Sequence, residues 1–138
     1  MKLFAQEVGV VTESLGAGKN LDYMVYSVDV VETLFALSQN YLYTQNYTQA
    51  EQSARQALEL DTTYILAKTK LAHALLFQKR FSESETIYKE LSQTVNEENE
   101  TYTQMLLNEL EELEEAGVIP ENCKDDVERI RKRLLFSE

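Results

Sequence analysis

The sequence contains one histidine, His73, and one cysteine, Cys123. Both side chains are suited to nucleophilic, acid–base or metal chemistry near neutral pH. A Ser-His-Asp triad is arithmetically possible, but His73 lies mid-helix in the pattern and no Ser stands in a strained elbow. Zinc requires several His, Cys or carboxylate ligands, which this widely separated pair does not supply. An enzyme would need a deep polar pocket in which a carboxylate accompanies His73. We predict no enzymatic activity, and Cys123, on an apolar stripe, is predicted to be a core residue.

The string GAGKN at residues 16–20 is a weak match to a phosphate-binding loop. That motif needs an earlier Gly where this chain has Glu13, and a Ser or Thr where it has Asn20. No strand pattern precedes the string. An exposed turn is therefore predicted, and no nucleotide or other cofactor is expected.

The 24 acidic residues offer many carboxylate pairs but no reason to choose one as a general acid and base. The densest run lies on one predicted helix and has no calcium-loop spacing, so it is interpreted as a solvated face without a metal. Its members are Glu109, Glu111, Glu112, Glu114 and Glu115.

Composition limits the classes of partner. The chain has 138 residues and a net charge of −11, which argues against nucleic acid and against an anionic membrane surface, since both recruit Lys and Arg. A basic partner is compatible with this charge. One cysteine cannot form an internal disulfide, and no apolar run is long enough to span a bilayer. The N-terminal residues lack the apolar stretch of a signal peptide, so a cytoplasmic location is expected.

The sequence repeats itself at a constant spacing. The string LSQNYLYTQNYTQAE, beginning at Leu37, aligns with LAHALLFQKRFSESE, beginning at Leu71. In each copy, apolar residues at helical spacing are interrupted by a polar turn and then resume. Each unit is therefore predicted to contain two antiparallel helices, which must stack on neighbours to bury their apolar faces.

This pattern resembles the tetratricopeptide repeat, which has the same period, about 34 residues, and whose helices meet at small residues. The first copy reads Leu34-x2-Leu37-Ser38-x2-Tyr41, and Ala50-x3-Ala54 follows. The second reads Lys68-x2-Leu71-Ala72-x2-Leu75, and Ser84-x3-Tyr88 follows. The usual Trp is replaced by Leu34 and Lys68, and the closing Pro by Thr62 and Asn96. The resemblance covers residues 31–98 well and the flanks loosely.

The resemblance implies an all-α fold, an α-α superhelix of antiparallel helix pairs. It also implies a concave groove, lined by the first helix of each unit, in which another protein or a peptide binds. Some groove positions, especially Leu42 and Leu76, could instead be buried between units. The groove residues implied are Phe35, Gln39, Leu42, Tyr43, Thr69, Lys70, His73 and Leu76. A clamp for a carboxyl terminus is not expected, since only Lys70 and His73 could contribute donors.

A single domain over residues 1–138 is expected. Residues 3–15 would form part of a preceding unit, residues 21–64 the first repeat with an extended first helix, and residues 65–98 the second. Residues 99–138 would form a capping helix pair, with Gly117 ending one helix, and the basic end of the last helix near Glu97, Glu98 and Glu100. The expected function is an adaptor or scaffold. The alternative is a structural end or spacer of a larger bacterial repeat protein, self-associating through its N-terminal helix.

Overall fold

The computed structural model describes residues 20–136, with side chains described from residue 30 onward. The predicted helix at 3–15 and Gly18-Lys19 lie outside these residues. Within the described part of the chain there are six α-helices and no strand, so the predicted all-α class is confirmed. The helices are α1 (Asn20–Tyr43), α2 (Tyr47–Leu60), α3 (Ile65–Leu76), α4 (Phe81–Gln93), α5 (Thr103–Glu115) and α6 (Lys124–Leu135). A short 3-10 helix, Glu121–Cys123, precedes α6.

The helices pack in chain order. Helix α1 packs on α2, α2 on α3, and α3 on α4, while α1 also contacts α3. Helix α6 packs against α4 and α5. The small residues at the helix contacts are completely buried, which allows the backbones to approach closely. These residues are Ser38, Ala50, Ala72 and Ser84.

The turns inside the two helix pairs share one backbone geometry, at positions that the sequence repeat aligns. Gln45 and Lys79 both have φ of 64°, in the left-handed region. In each turn the next amide donates back across the turn, from Asn46 to the Tyr41 carbonyl and from Arg80 to the Leu75 carbonyl. This is the hydrogen bond that closes a helix in a Schellman motif. The backbone therefore repeats at the same spacing as the sequence.

The turn between α5 and α6 has the same closing hydrogen bond, with a glycine at the left-handed position. Gly117 has φ of 73°, and the Val118 amide donates to the Leu113 carbonyl. The predicted helix end at Gly117 is confirmed.

Cys123 is fully buried in the main apolar cluster, as predicted.

The position of the basic end of α6 was predicted wrongly. Arg131 forms ion pairs with Glu114 of α5 and with Glu128. Arg133 forms an ion pair with Glu85 of α4. Within residues 30–136, the acids expected there, Glu97, Glu98 and Glu100, are exposed and form no ion pair. The reason is that α6 packs against α4 as well as α5, which brings Glu85 within reach of its basic end.

Candidate functional site

The eight predicted groove residues lie on α1 and α3 and differ widely in exposure. Gln39 and Tyr43 are exposed, with Tyr43 at 39%, and Phe35 is half-buried. Lys70 is 6% exposed. The side chains that are essentially inaccessible are Leu42, Thr69, His73 and Leu76. These four cannot contact a partner in this conformation, and for Leu42 and Leu76 this is the alternative that the sequence left open.

Leu42, His73 and Leu76, three of the buried groove positions, pack with α5 of the same chain. Leu42 and Leu76 belong to one apolar cluster with Leu106, Leu110 and Leu113, all of which are almost fully buried. Burying side chains of this kind is worth about 1.5–3 kcal/mol each. The C-terminal helix pair therefore occupies part of the surface that the sequence assigned to a partner.

A polar network lies at the centre of this contact. The Tyr88 hydroxyl is 2.6 Å from His73 Nδ1, and His73 Nε2 is 2.8 Å from Glu109 Oε1. A carboxylate can only accept, so His73 Nε2–H donates to Glu109. The other ring nitrogen of a neutral imidazole then accepts from the Tyr88 hydroxyl. Helices α3, α4 and α5 are joined through this one imidazole.

Burial and the contacts within the network together determine its protonation. Burial lowers the pKa of His73, and the hydrogen bond and charge of Glu109 oppose that shift only in part. Burial, followed by the charge of Glu109, raises the pKa of Tyr88 well above its ordinary value. Burial alone would raise the pKa of Glu109, but its hydrogen-bonded and charged neighbours reverse the direction and lower it. The ring is neutral, the phenol is protonated and the carboxylate is ionised at neutral pH.

Lys70 supplies the charge that compensates Glu109. Its Nζ lies 3.4 Å from Glu109 Oε2 and 5.5 Å from the centroid of the Phe35 ring. Phe35 in turn meets Tyr64 edge to face at 5.8 Å. A cation over an aromatic face is stabilised by the ring quadrupole. The half-buried Phe35 is therefore held by contacts within the chain on two sides.

A small polar cavity of about 90 Å³ lies where α1, α3 and α5 meet. Its polar lining consists of Gln39, Tyr43, Lys70, Glu109 and Glu112. Burial, then the charges of Glu112 and Glu109, raise the pKa of Tyr43. Two carboxylates against one ammonium leave this cavity net negative. The cavity is lined both by the exposed side chains of Gln39 and Tyr43 and by Glu109 of the polar network.

His73 has the carboxylate neighbour that an enzyme would need, but its side chain is 0% exposed. No substrate reaches it in this conformation. Within residues 20–136, no group of three or more His, Cys, Asp or Glu side chains is placed to hold a metal ion. The same part of the chain has no helix long and apolar enough to cross a bilayer.

Glu109 was assigned to the solvated acidic face, and that assignment is wrong for this residue. It follows Leu106 by three positions and precedes Leu113 by four, so it lies within the apolar stripe of α5. The other four acids of the run are exposed, as predicted. The position of Glu109 on the helix therefore indicated its burial, but the neighbouring acids led to its assignment to the solvated face. Nothing in the sequence paired Tyr88 with His73.

Comparison with models of known protein families, with curated proteins and with solved structures finds no match to this chain.

Proposed function

We propose that this chain is a tetratricopeptide-type interaction module that binds a basic peptide segment of a partner protein at the open face of α1. The binding surface consists of Phe35, Gln39 and Tyr43 with the adjoining cavity. The observation that carries the proposal is this net-negative cavity, which opens beside an exposed tyrosine and amide.

The repeat part of the proposal is supported by the backbone. The two turns at Gln45 and Lys79 share φ and hydrogen bonds at positions that the sequence repeat aligns. Small residues are buried at corresponding positions of the two units. Helix pairs of this kind provide extended surfaces for partner binding. Because fold does not determine function, the site must carry the rest of the proposal.

The basic character of the partner follows from the charges around the cavity. Glu112 is exposed, whereas Glu109 is already engaged by Lys70 and His73. An incoming Arg or Lys would pair with Glu112 and stack its stem on Tyr43, while Gln39 would bond the peptide backbone. The net charge of −11 would favour the encounter.

The test is an array of Arg- and Lys-containing peptides, followed by fluorescence polarisation of the best binder. The double variant with Tyr43→Ala and Glu112→Gln should bind about tenfold more weakly, because an aromatic contact and a charge pair are lost. The control is Asn40→Ala, an exposed change on the same helix. Equal affinity for the double variant and the wild type would reject this face as the site.

A structural role is the second candidate, because α5 packs with several of the implied groove residues. In that case the chain would be one end of a longer solenoid or a spacer, with α5 and α6 closing it. Glu112→Gln would then leave the binding of any partner unchanged. Self-association through residues 3–15 belongs to this alternative and concerns residues outside the described part.

A further inference from the structure

A second groove, of about 610 Å³, lies between α4 and α6, away from the face of α1. Helix α4 contributes Lys89 and Ser92 to its lining, and α6 contributes Ile130 and Lys132. Phe136, just after α6, lines its end. The lining of the groove thus includes both apolar and cationic side chains.

The charge of this groove is opposite to that of the molecule. Arg133 also lines it and is neutralised by its ion pair with Glu85. Lys89 and Lys132 are exposed, and neither forms an ion pair within residues 30–136. Two uncompensated lysines therefore face one groove in a chain with a net charge of −11.

An exposed aromatic side chain adjoins these lysines. Phe136 is 82% exposed, and Ile130, which lines the same groove, belongs to the core. Aromatic side chains are enriched at protein interaction surfaces. Phe136 gives the groove an apolar contact that a simple ion site would lack.

We propose that the groove between α4 and α6 binds an acidic peptide segment of a partner that carries a bulky apolar residue. The peptide's carboxylates pair with Lys89 and Lys132, and its apolar side chain packs against the exposed ring of Phe136. The charge complementarity of the two free lysines selects an acidic occupant. This site is independent of the basic-peptide site on α1.

The probe is a fluorescein-labelled hexapeptide with two glutamates on each side of a Leu-Phe pair, and its matched version has lysines instead. The measurement is fluorescence polarisation at two NaCl concentrations. The matched substitutions are Lys132→Glu and Lys124→Glu, which make the same charge change in one helix. Their separation along the helix axis is about 12 Å, which exceeds the Debye length of about 8 Å at physiological salt.

Lys132→Glu should weaken binding of the acidic peptide about fivefold, since a pair of this kind is worth up to about 1 kcal/mol. Phe136→Ala should weaken it to a similar extent without changing the salt dependence. Lys124→Glu and Tyr43→Ala should leave it within twofold. Circular dichroism of each variant should be that of the wild type, since all four positions are exposed.

Equal weakening by Lys124→Glu, or equal binding of the lysine peptide, would overturn the proposal in favour of general charge attraction. An unchanged affinity in both Lys132→Glu and Phe136→Ala would also overturn it. If sedimentation equilibrium shows a wild-type dimer that Lys132→Glu dissociates, the occupant is a second copy and the peptide proposal is wrong. Failure of this test leaves the α1 site untouched.

Discussion

His73 of α3 and Glu109 of α5 are joined by a 2.8 Å hydrogen bond between Nε2 and Oε1, inside the contact that covers the implied groove. His73 is fully buried, and Lys70 approaches the other carboxylate oxygen. This bond ties the C-terminal helix pair to the second helix pair at a polar point within an apolar contact. Removing one partner leaves buried polar groups without compensation, which costs more than the bond itself contributes.

The first prediction concerns Glu109. Glu109→Ala should destabilise the protein by about 2–4 kcal/mol, because His73 Nε2–H loses its acceptor and Lys70 its counter-charge. Glu109→Gln keeps an acceptor and should cost less, about 1–2 kcal/mol. Urea unfolding followed by circular dichroism measures both values. Glu111→Ala, an exposed neighbour on the same helix, is the control and should change stability by less than about 0.5 kcal/mol. Equal effects at both positions would show that the network contributes nothing.

The second prediction concerns pH. Burial lowers the folded-state pKa of His73 below its ordinary value of 6.5, so the unfolded chain binds a proton first as pH falls. The stability contributed by His73 is therefore complete above about pH 6.5 and is lost as pH falls toward the lowered folded-state pKa. His73 is the chain's one histidine, which makes this decline assignable to a single side chain.

The measurement is the free energy of unfolding between pH 7.5 and 5.5, where a fully coupled proton gives a slope of up to about 1.4 kcal/mol per pH unit. His73→Gln should lower stability at pH 7.5 and flatten this slope. The lowered pKa of Glu109 adds a further loss at more acidic pH, in the same direction. A His73→Gln variant that keeps the wild-type slope would contradict the assignment to His73.

The third prediction compares two turn residues with left-handed backbones. Gly117→Ala meets no neighbouring atom but places a Cβ at φ of 73°, and should cost about 1 kcal/mol. Gln45→Gly relieves the same strain at φ of 64° and should stabilise by a few tenths to about 1 kcal/mol. Thermal unfolding measures the two shifts, which should be opposite in sign. Shifts of the same sign would show that the backbone conformation is not the cause.

The helical class and the inner turns could be predicted from the sequence because both are local properties. The repeat that aligns Leu37 with Leu71 reappears in the backbone at Gln45 and Lys79. Gly117 was predictable as a helix end because a left-handed residue there favours glycine. These features depend on neighbours within a few positions.

The coverage of the groove could not be predicted, because it depends on where α5 lies relative to α1 and α3. Nothing in the local pattern around His73 shows that Tyr88 and Glu109 meet its two ring nitrogens. The apolar stripe of α5 did contain Glu109 between Leu106 and Leu113, and a carboxylate there requires a buried partner. That partner could be identified only after the helices had been placed.

The fourth prediction tests whether α5 is an integral cover of the groove. Leu110 is fully buried and shares its cluster with Leu42 and Leu76. Leu110→Ala should cost about 2–5 kcal/mol, since the lost transfer free energy adds to that of the cavity left in this cluster. The control is Met105→Ala on the same helix, which removes a side chain that is 36% exposed and should cost much less, about 0.5–1 kcal/mol.

Urea denaturation measures the free energy of unfolding of both variants, and the slope of that free energy against urea concentration is compared as well. A single transition with an unchanged slope would indicate that α5 unfolds with the rest of the domain. If Leu110→Ala instead costs no more than Met105→Ala, α5 is a loosely held segment, and the buried groove residues become available to a partner.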